Sequence, residues 1–231
     1  MRHLPYVLTA LLAISACSGV DYQQEKTKRP GKFSGEVMVF WLAEGDQTRG
    51  DGKFIFVPLR NHPLTLDWTD GAGKQRHTTP GIMYTDGGSI PRIVQAFPGF
   101  SPWGFAPAYM VHDWVFGAHQ CVTDSKATAK QTADAAIEFD DTVRIMAQAI
   151  AALANSKHIA ENSAAPSAVT LGVGTPLSRR LWTAPDRCQN SAEFDRISQK
   201  YDRLANGEPG QEAAIVPGVG GQLVGIISFG N

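Results

Sequence analysis

The chain has 231 residues, 43% of them hydrophobic and 19% charged, which is the composition of one medium-sized globular domain and excludes a purely disordered or collagen-like chain. Its 21 basic side chains oppose 22 acidic ones, so the formal net charge is −1. Because such a balance creates no overall field to attract nucleic acid or an anionic membrane, we expect no nucleic-acid partner and infer other partners from local sites.

The N terminus is typical of a secreted bacterial protein. Arg2 and His3 precede an apolar stretch, Leu4 to Ile14, that is too short for a permanent membrane-spanning helix. Ile14-Ser15-Ala16-Cys17 resembles the lipobox of bacterial lipoproteins, which implies cleavage before Cys17 and acylation of its thiol and new amino group. We therefore expect a signal peptide at 1–16 and a lipid anchor at Cys17 that holds the protein to a membrane of the cell envelope, facing the periplasm. An ordinary signal peptide with a chance cysteine is the alternative.

Residues 17–32 are predicted to form a lipidated tether, because they are polar, have no apolar period and contain the break Pro30-Gly31. A single globular domain is expected over 33–231. Within it Cys121 and Cys188 form an even pair for an oxidising compartment, so a disulfide between them is plausible. Two separate buried thiols remain open, since spacing alone does not reveal distance.

Short apolar runs separated by turn residues predict an antiparallel meander in the N-terminal half; the runs are Glu36–Leu42, Lys53–Val57 and Leu64–Trp68. Helical spacing then predicts a helix over Ala106–Ala118, with Gly117 at its fraying end, and a long helix over Lys126–Ala154 capped by Thr123-Asp124-Ser125. A short helical turn is expected at Leu177–Ala184 and an amphipathic helix at Ala192–Leu204. The tail, Ala213–Asn231, is read as a final strand or a loosely packed end. The expected fold is α+β, short antiparallel strands followed by a helical half in which an antiparallel helix pair carries His112-Asp113 and Asp134.

Two motifs concentrate the chemistry. In Asp86-Gly87-Gly88-Ser89 the paired glycines permit backbone conformations that expose carbonyls or amides to a ligand, although Asp-Gly is also an ordinary turn signature. His112-Asp113 is followed by Phe116 and, on the next predicted helix, by Asp134. We expect His112 to turn toward Asp134 as a general base and Asp113 to point at Asp86 as a hard-oxygen ligand for calcium. A helix with a plain polar patch is the alternative.

The motifs resemble an uncharacterised bacterial and phage family, domain of unknown function 1353. The resemblance is carried, in the expected order, by Thr85 to Arg92, Ala108 to Asp113 and Ala133-Asp134, and it spans about Leu64 to Val143. It implies a family but no established activity.

The pattern His112, Asp113, Phe116 and Ala133-Asp134 also resembles the catalytic helix pair of phospholipase A2. That resemblance implies His112 as the base for a water, Asp113 as a calcium ligand and Asp134 as the residue that holds the histidine. Phe116 departs from the usual tyrosine, and Tyr84 to Ser89 is shorter and less glycine-rich than the calcium loop of that family.

The sequence leaves three candidate functions open. The first is a binding or structural module of the envelope with a polar His/Asp site, slightly favoured by its small lipoprotein setting. The second is a calcium-dependent lipid or ester hydrolase with His112 as general base. The third takes Ser89 as a nucleophile, which is weaker because a nucleophile-elbow context is missing. The other histidines, His62, His77, His119 and His158, are expected at the surface.

Overall fold

The computed structural model describes residues 19–42, 53–85, 104–159, 164–189, 199, 215–216 and 221–230. Within these ranges the N-terminal half forms an antiparallel sheet of mostly short strands and the C-terminal half is largely helical, which confirms the α+β prediction. The predicted signal peptide at 1–16, the predicted lipidation site Cys17 and nearly all of the helix expected at Ala192–Leu204 lie outside the described residues. No helix of the described ranges is long and apolar enough to cross a membrane.

The sheet is built around one long strand. Its strands are β1 (Lys32–Leu42), β2 (Lys53–Pro58), β3 (Thr65–Thr69), β4 (Gln75–Thr78), β5 (Met83–Thr85), β6 (Ile215–Val216) and β7 (Gly221–Phe229). The order is β4-β3-β1-β2-β5, and β7 pairs with β1 and β6. The predicted strands are present, but the meander is wrong, because β3 pairs with β1 rather than with β2. The tail supplies the final strand that was one of its two interpretations.

A bend in β1 explains this order. Residues 32–34 pair with β3 and residues 37–42 pair with β2, so β1 changes partner at Gly35. Gly35 has a φ of +85°, and a Cβ there would lie 2.1 Å from the carbonyl oxygen of Pro63. Only glycine fits this position, since it has no Cβ and adopts positive φ at little cost.

Six described helices complete the fold: α1 (Tyr22–Lys28), α2 (Ala106–Thr123), α3 (Ala129–Asp134), α4 (Phe139–Asn155), α5 (Ala165–Val173) and α6 (Pro176–Trp182). α4 is the most buried, and α1, α2, α5 and the sheet all contact it. α2 packs against α4, α3 and β5. Because these contacts hold the helix from several sides, they fix the positions of its side chains.

Residues 20–32 of the predicted tether are folded, and they include α1 and the first residue of β1. Asp21 caps α1 by accepting a hydrogen bond from the amide of Gln24, and Tyr22 and Glu25 are buried. The buried Glu25 carboxylate accepts a hydrogen bond from Gln148, which lies on α4. A polar segment therefore packs into the core because its partners are distant in sequence, which a local pattern does not reveal.

The long helix predicted over Lys126–Ala154 is two helices. Thr128, not Thr123-Asp124-Ser125, forms the first cap, and it does so as a capping box with Gln131. α3 ends at Asp134, and α4 begins only at Phe139.

α2 is longer than predicted, because it continues past Gly117 to Thr123. Its last turn carries Cys121, which forms a disulfide with Cys188. Next to it the Asp124 carboxylate accepts the backbone amides of Asp186, Arg187 and Cys188 at 2.7–2.8 Å. The disulfide and this carboxylate together attach the segment after α6 to the end of α2.

Candidate active site on helix α2

Four side chains that are candidates for binding or catalysis lie along one face of α2. Tyr109, His112, Asp113 and Phe116 follow the spacing i, i+3, i+4 and i+7, which brings residues to one helix face. Tyr109 and His112 are each only 5% exposed, whereas the Asp113 side chain is 34% exposed. The stripe thus begins in the core and reaches the surface at its carboxylate. We call Tyr109, His112 and Asp113 the α2 site.

His112 is held by its own neighbour. Its Nδ1 lies 3.2 Å from Oδ1 of Asp113, and its Nε2 is buried without a hydrogen-bond partner among the described residues. An Nδ1–H that donates to the carboxylate leaves Nε2 as an unprotonated acceptor. Buried polar atoms are nearly always paired, so this nitrogen is suited to receive a hydrogen bond or a proton from another group.

Asp134 has a different partner from the one predicted. Its Oδ2 accepts a hydrogen bond of 2.7 Å from the indole Nε1 of Trp114, so the predicted pairing with His112 is corrected. Trp114 follows His112 by two positions, and residues two apart on a helix point about 200° apart. A carboxylate on the Trp114 side of α2 therefore lies on the opposite side from the imidazole.

Tyr109 adds a second unpaired polar atom. Its hydroxyl is buried without a hydrogen-bond partner in the described part of the chain. Burial, reinforced by the negative charge of Asp113, raises the pKa of this hydroxyl well above its ordinary value of 10.0. Tyr109 therefore remains a neutral phenol at physiological pH, able to donate or accept one hydrogen bond.

No Lys or Arg of the described ranges pairs with Asp113, whose ion-pair contact there is with His112. Asp86, the second predicted metal ligand, and Ser89 lie outside the described residues. β5, which ends at Thr85 directly before Asp86, contacts α2. Over the described ranges, no group of three or more His, Cys, Asp or Glu side chains is arranged to hold a metal ion.

Phe116 closes the stripe on its outer side. Its ring centroid lies 5.7 Å from that of His112 and 5.0 Å from that of Trp182. The Phe116 ring thus contacts the imidazole and the indole of Trp182. Because it is a phenylalanine, it supplies no hydroxyl to the site. His119, expected at the surface, is in fact half-buried inside α2, where its ring stacks on Trp182 at 3.8 Å and burial lowers its pKa. His62, His77 and His158 are exposed as expected.

Sequence reasoning did not anticipate a groove between the β3–β4 hairpin and α4. Its volume is about 490 Å³, and a smaller cavity of about 100 Å³ beside it is lined in part by Asp134. Six of the seven charged side chains that line the groove form ion pairs, Arg76 with Asp70 at 3.0 Å, Arg144 with Asp141 at 2.9 Å, and Arg179 with Asp140 at 2.6 Å, and Glu138 is the seventh. Because these pairs neutralise one another, the groove attracts a charged ligand less than the α2 site does.

No family model, curated protein or solved structure matches the chain. Functional inference therefore depends on the geometry of the α2 site and on the sequence of the N terminus.

Proposed function

We propose that the chain is a lipid-anchored protein of the bacterial cell envelope, of the domain of unknown function 1353 family, that acts as a binding module through the α2 site. The lipobox-like Ile14-Ser15-Ala16-Cys17 supports the anchor. The Cys121–Cys188 disulfide supports an oxidising compartment, since such bonds persist in secreted and periplasmic proteins.

A cationic group is the ligand that fits this site. The observation that carries the proposal is a partly exposed Asp113, with which no Lys or Arg of the described ranges pairs, beside two buried atoms that have no hydrogen-bond partner there, Nε2 of His112 and the hydroxyl of Tyr109. All three groups present acceptor lone pairs. The carboxylate and hydroxyl oxygens favour a hard cation such as Ca²⁺, to which Asp86 would add a second carboxylate.

Calorimetric titration of the intact mature chain with Ca²⁺ tests this proposal. We expect a saturable heat of binding in the wild type and its loss in Asp113→Asn. Asp67→Asn is the matched control, because it removes the same charge from an exposed position of β3, away from the α2 site. Binding that survives in Asp113→Asn, or a wild-type chain that binds no Ca²⁺, would overturn the cation site.

Hydrolysis is a second candidate, and the contact between His112 and Asp113 favours it specifically. An imidazole whose Nδ1 is held by a carboxylate and whose Nε2 is free has the arrangement of a general base. The arrangement differs from that of phospholipase A2, because the adjacent carboxylate holds the histidine and Asp134 binds Trp114 instead. Hydrolysis here would use His112 to activate water and Asp113 to orient it.

Release of fatty acid from phospholipid vesicles separates the two functions. If the protein is a binding module, the wild type releases no more fatty acid than the His112→Gln variant, with or without Ca²⁺. A hydrolase releases fatty acid in the wild type, and His112→Gln removes most of that activity, since loss of a general base typically costs about 10²–10⁴-fold.

The anchor is tested independently by labelling cells that express the full chain with radioactive palmitate. We expect label in the wild type and none in Cys17→Ala. A wild-type chain without label would contradict the lipoprotein assignment and leave the α2 site untouched.

A further inference from the structure

The helices α5 and α6 expose an unusual amount of apolar surface. Leu171 is 53% exposed, Leu177 65% and Leu181 38%. α5 and α6 are joined by the short turn Gly174-Thr175, so these leucines belong to two consecutive helices. Together with Arg180 they define what we call the α5–α6 patch. Leu177 and Leu181 lie one turn apart on α6, and adjoining exposed apolar side chains of this kind mark sites of interaction.

The exposure is built into the fold, because α6 is held firmly with its other face inward. Trp182 is buried, and its ring contacts those of His119 and Phe116. Gln120 of α2 donates a hydrogen bond of 2.9 Å to the carbonyl oxygen of Leu181. Since Trp182 fixes the rotation of the helix, Leu177 and Leu181, which lie one turn apart on the same face, are directed outward.

The charge of α6 is positive. The helix contains Arg179 and Arg180 and no acidic residue. Arg179 is engaged by Asp140 at 2.6 Å and lies over the ring of Phe139. Arg180 is exposed and has no ion-pair partner among the described residues, so its charge is available to an anionic surface.

The N-terminal helix α1 lies against α5, the helix that carries Leu171. α1 is only about 10 Å long. Asp21, the cap of α1, follows Cys17 by four residues, which span at most about 14 Å. An acyl group on Cys17 would therefore hold this side of the domain close to the bilayer.

We infer that the α5–α6 patch rests on the anionic membrane surface, with its leucines in the interfacial region and Arg180 against lipid phosphates. This inference rests on the lipid anchor of the proposed function, which supplies most of the membrane affinity while the patch sets the orientation. Three leucines and an arginine suit this role, since apolar contact and attraction to anionic lipid add to the effect of an acyl chain.

Fluorescence quenching in reconstituted vesicles tests the orientation. The full chain is acylated, placed in vesicles of anionic phospholipid and labelled at Leu177→Cys or, as a control, at Val224→Cys. Val224 is 59% exposed on β7, a strand without charged residues. The label reacts only with the introduced cysteine, because the acylated Cys17 and the disulfide-bonded Cys121 and Cys188 account for all three native cysteines.

We expect a quencher attached to lipid to reduce the fluorescence at position 177 several-fold more than at position 224, and an aqueous quencher to act in the opposite order. Arg180→Gln, or vesicles of zwitterionic lipid, should reduce the difference. Equal accessibility of both positions would overturn the inference, and so would protection of position 177 from both quenchers, which would indicate a protein partner or a second copy.

Failure of the anchor and failure of the patch are distinguishable. Incorporation of palmitate is measured first, and its absence contradicts the anchor alone. The mature Cys17→Ala/Leu177→Cys chain, which is labelled only at position 177, is then mixed with excess anionic vesicles and sedimented. Bound chain whose label is quenched supports the patch, and chain that does not bind, or binds without quenching, contradicts it.

Discussion

Gln148 illustrates how one buried side chain connects distant parts of the chain. It is fully buried on α4, accepts a hydrogen bond from the amide of Thr69 and donates to the Thr69 carbonyl and to Glu25, at 2.8–2.9 Å. Gln148→Leu would leave the amide and carbonyl of Thr69 without this partner in the core, and Glu25 would keep only its contacts with Arg29 and Arg144. We expect the free energy of unfolding to fall by about 2–4 kcal/mol.

Urea denaturation measures this change, with Gln23→Leu as a control, because Gln23 is exposed on α1. A Gln148→Leu protein as stable as the control would show that the network contributes nothing net.

Asp124 makes the stability depend on pH. Hydrogen bonds from the backbone, that of Cys188 above all, hold the pKa of this carboxyl below its usual 3.8. Because the pKa is lower in the folded state, the stabilisation is fully present above about pH 4 and is lost as the pH falls through the folded value. Asp124→Asn should therefore lower Tm at pH 6 and have a much smaller effect near pH 2.

Thermal scans across that pH range check this expectation, and Asp186→Asn serves as the control, because Asp186 contributes its backbone amide rather than its carboxylate. A Tm difference between wild type and Asp124→Asn that stays constant with pH would contradict it.

At the scale of single residues, the sequence did not predict how the polar side chains pair. His112, expected to turn toward Asp134, instead contacts its neighbour Asp113, and Phe116 lies beside its ring. The partners of Asp134 and Glu25 were missed because Trp114 and Gln148 are polar only at one end of a large side chain, and neither local period nor motif indicates where such an end points.

Among the elements, the glycines in and around α2 give a matched pair of tests. Gly117 lies inside the helix, and a Cβ there would meet nothing within 4 Å. Gly117→Ala should raise the free energy of unfolding by about 0.5–1 kcal/mol, because alanine loses less backbone entropy in a helix. If the helix frayed at Gly117, as its sequence first suggested, the substitution would have almost no effect.

Gly81→Ala should have the opposite effect. A Cβ at this position would lie 2.6 Å from Cη2 of Trp114, whose ring is buried. The ring must move, and its hydrogen bond to Asp134 is strained or lost. We expect a loss of about 1–3 kcal/mol in urea denaturation and a change in tryptophan fluorescence. Unchanged fluorescence and stability would show that this contact is loose.

The break between α3 and α4 was missed at this scale for a physical reason. Residues 135–138 contain neither Gly nor Pro, so no strong stop signal separates the two helices. The break is set by packing, since α3 contacts α2 while α4 runs through the core. The start of α2 was predicted correctly, because Pro107 marks a helix N terminus in sequence and structure alike.

For the whole molecule, the Cys121–Cys188 disulfide closes a loop with a sequence separation of 67. A constraint of this length reduces the entropy of the unfolded chain by an amount worth roughly 4 kcal/mol in the loop-closure model. We expect reductant to lower the stability of the wild type to that of the Cys121→Ser/Cys188→Ser variant, as measured by urea denaturation. A reductant effect that persists in the double variant would assign the loss to another cause.

The α+β class was predictable because period-two and helical apolar patterns are segregated along the chain. The strand order was not, since pairing of β7 with β1 joins residues nearly 200 positions apart, for which a single sequence contains no signal.

The ¹⁵N chemical shifts of the His112 ring, recorded in the intact mature chain with and without Ca²⁺, test the α2 site most directly. The account predicts the tautomer with a proton on Nδ1 and none on Nε2, and ring signals that shift on addition of Ca²⁺ in the wild type but not in Asp113→Asn. A proton on Nε2, or ring signals that Ca²⁺ leaves unchanged in the wild type, would contradict it.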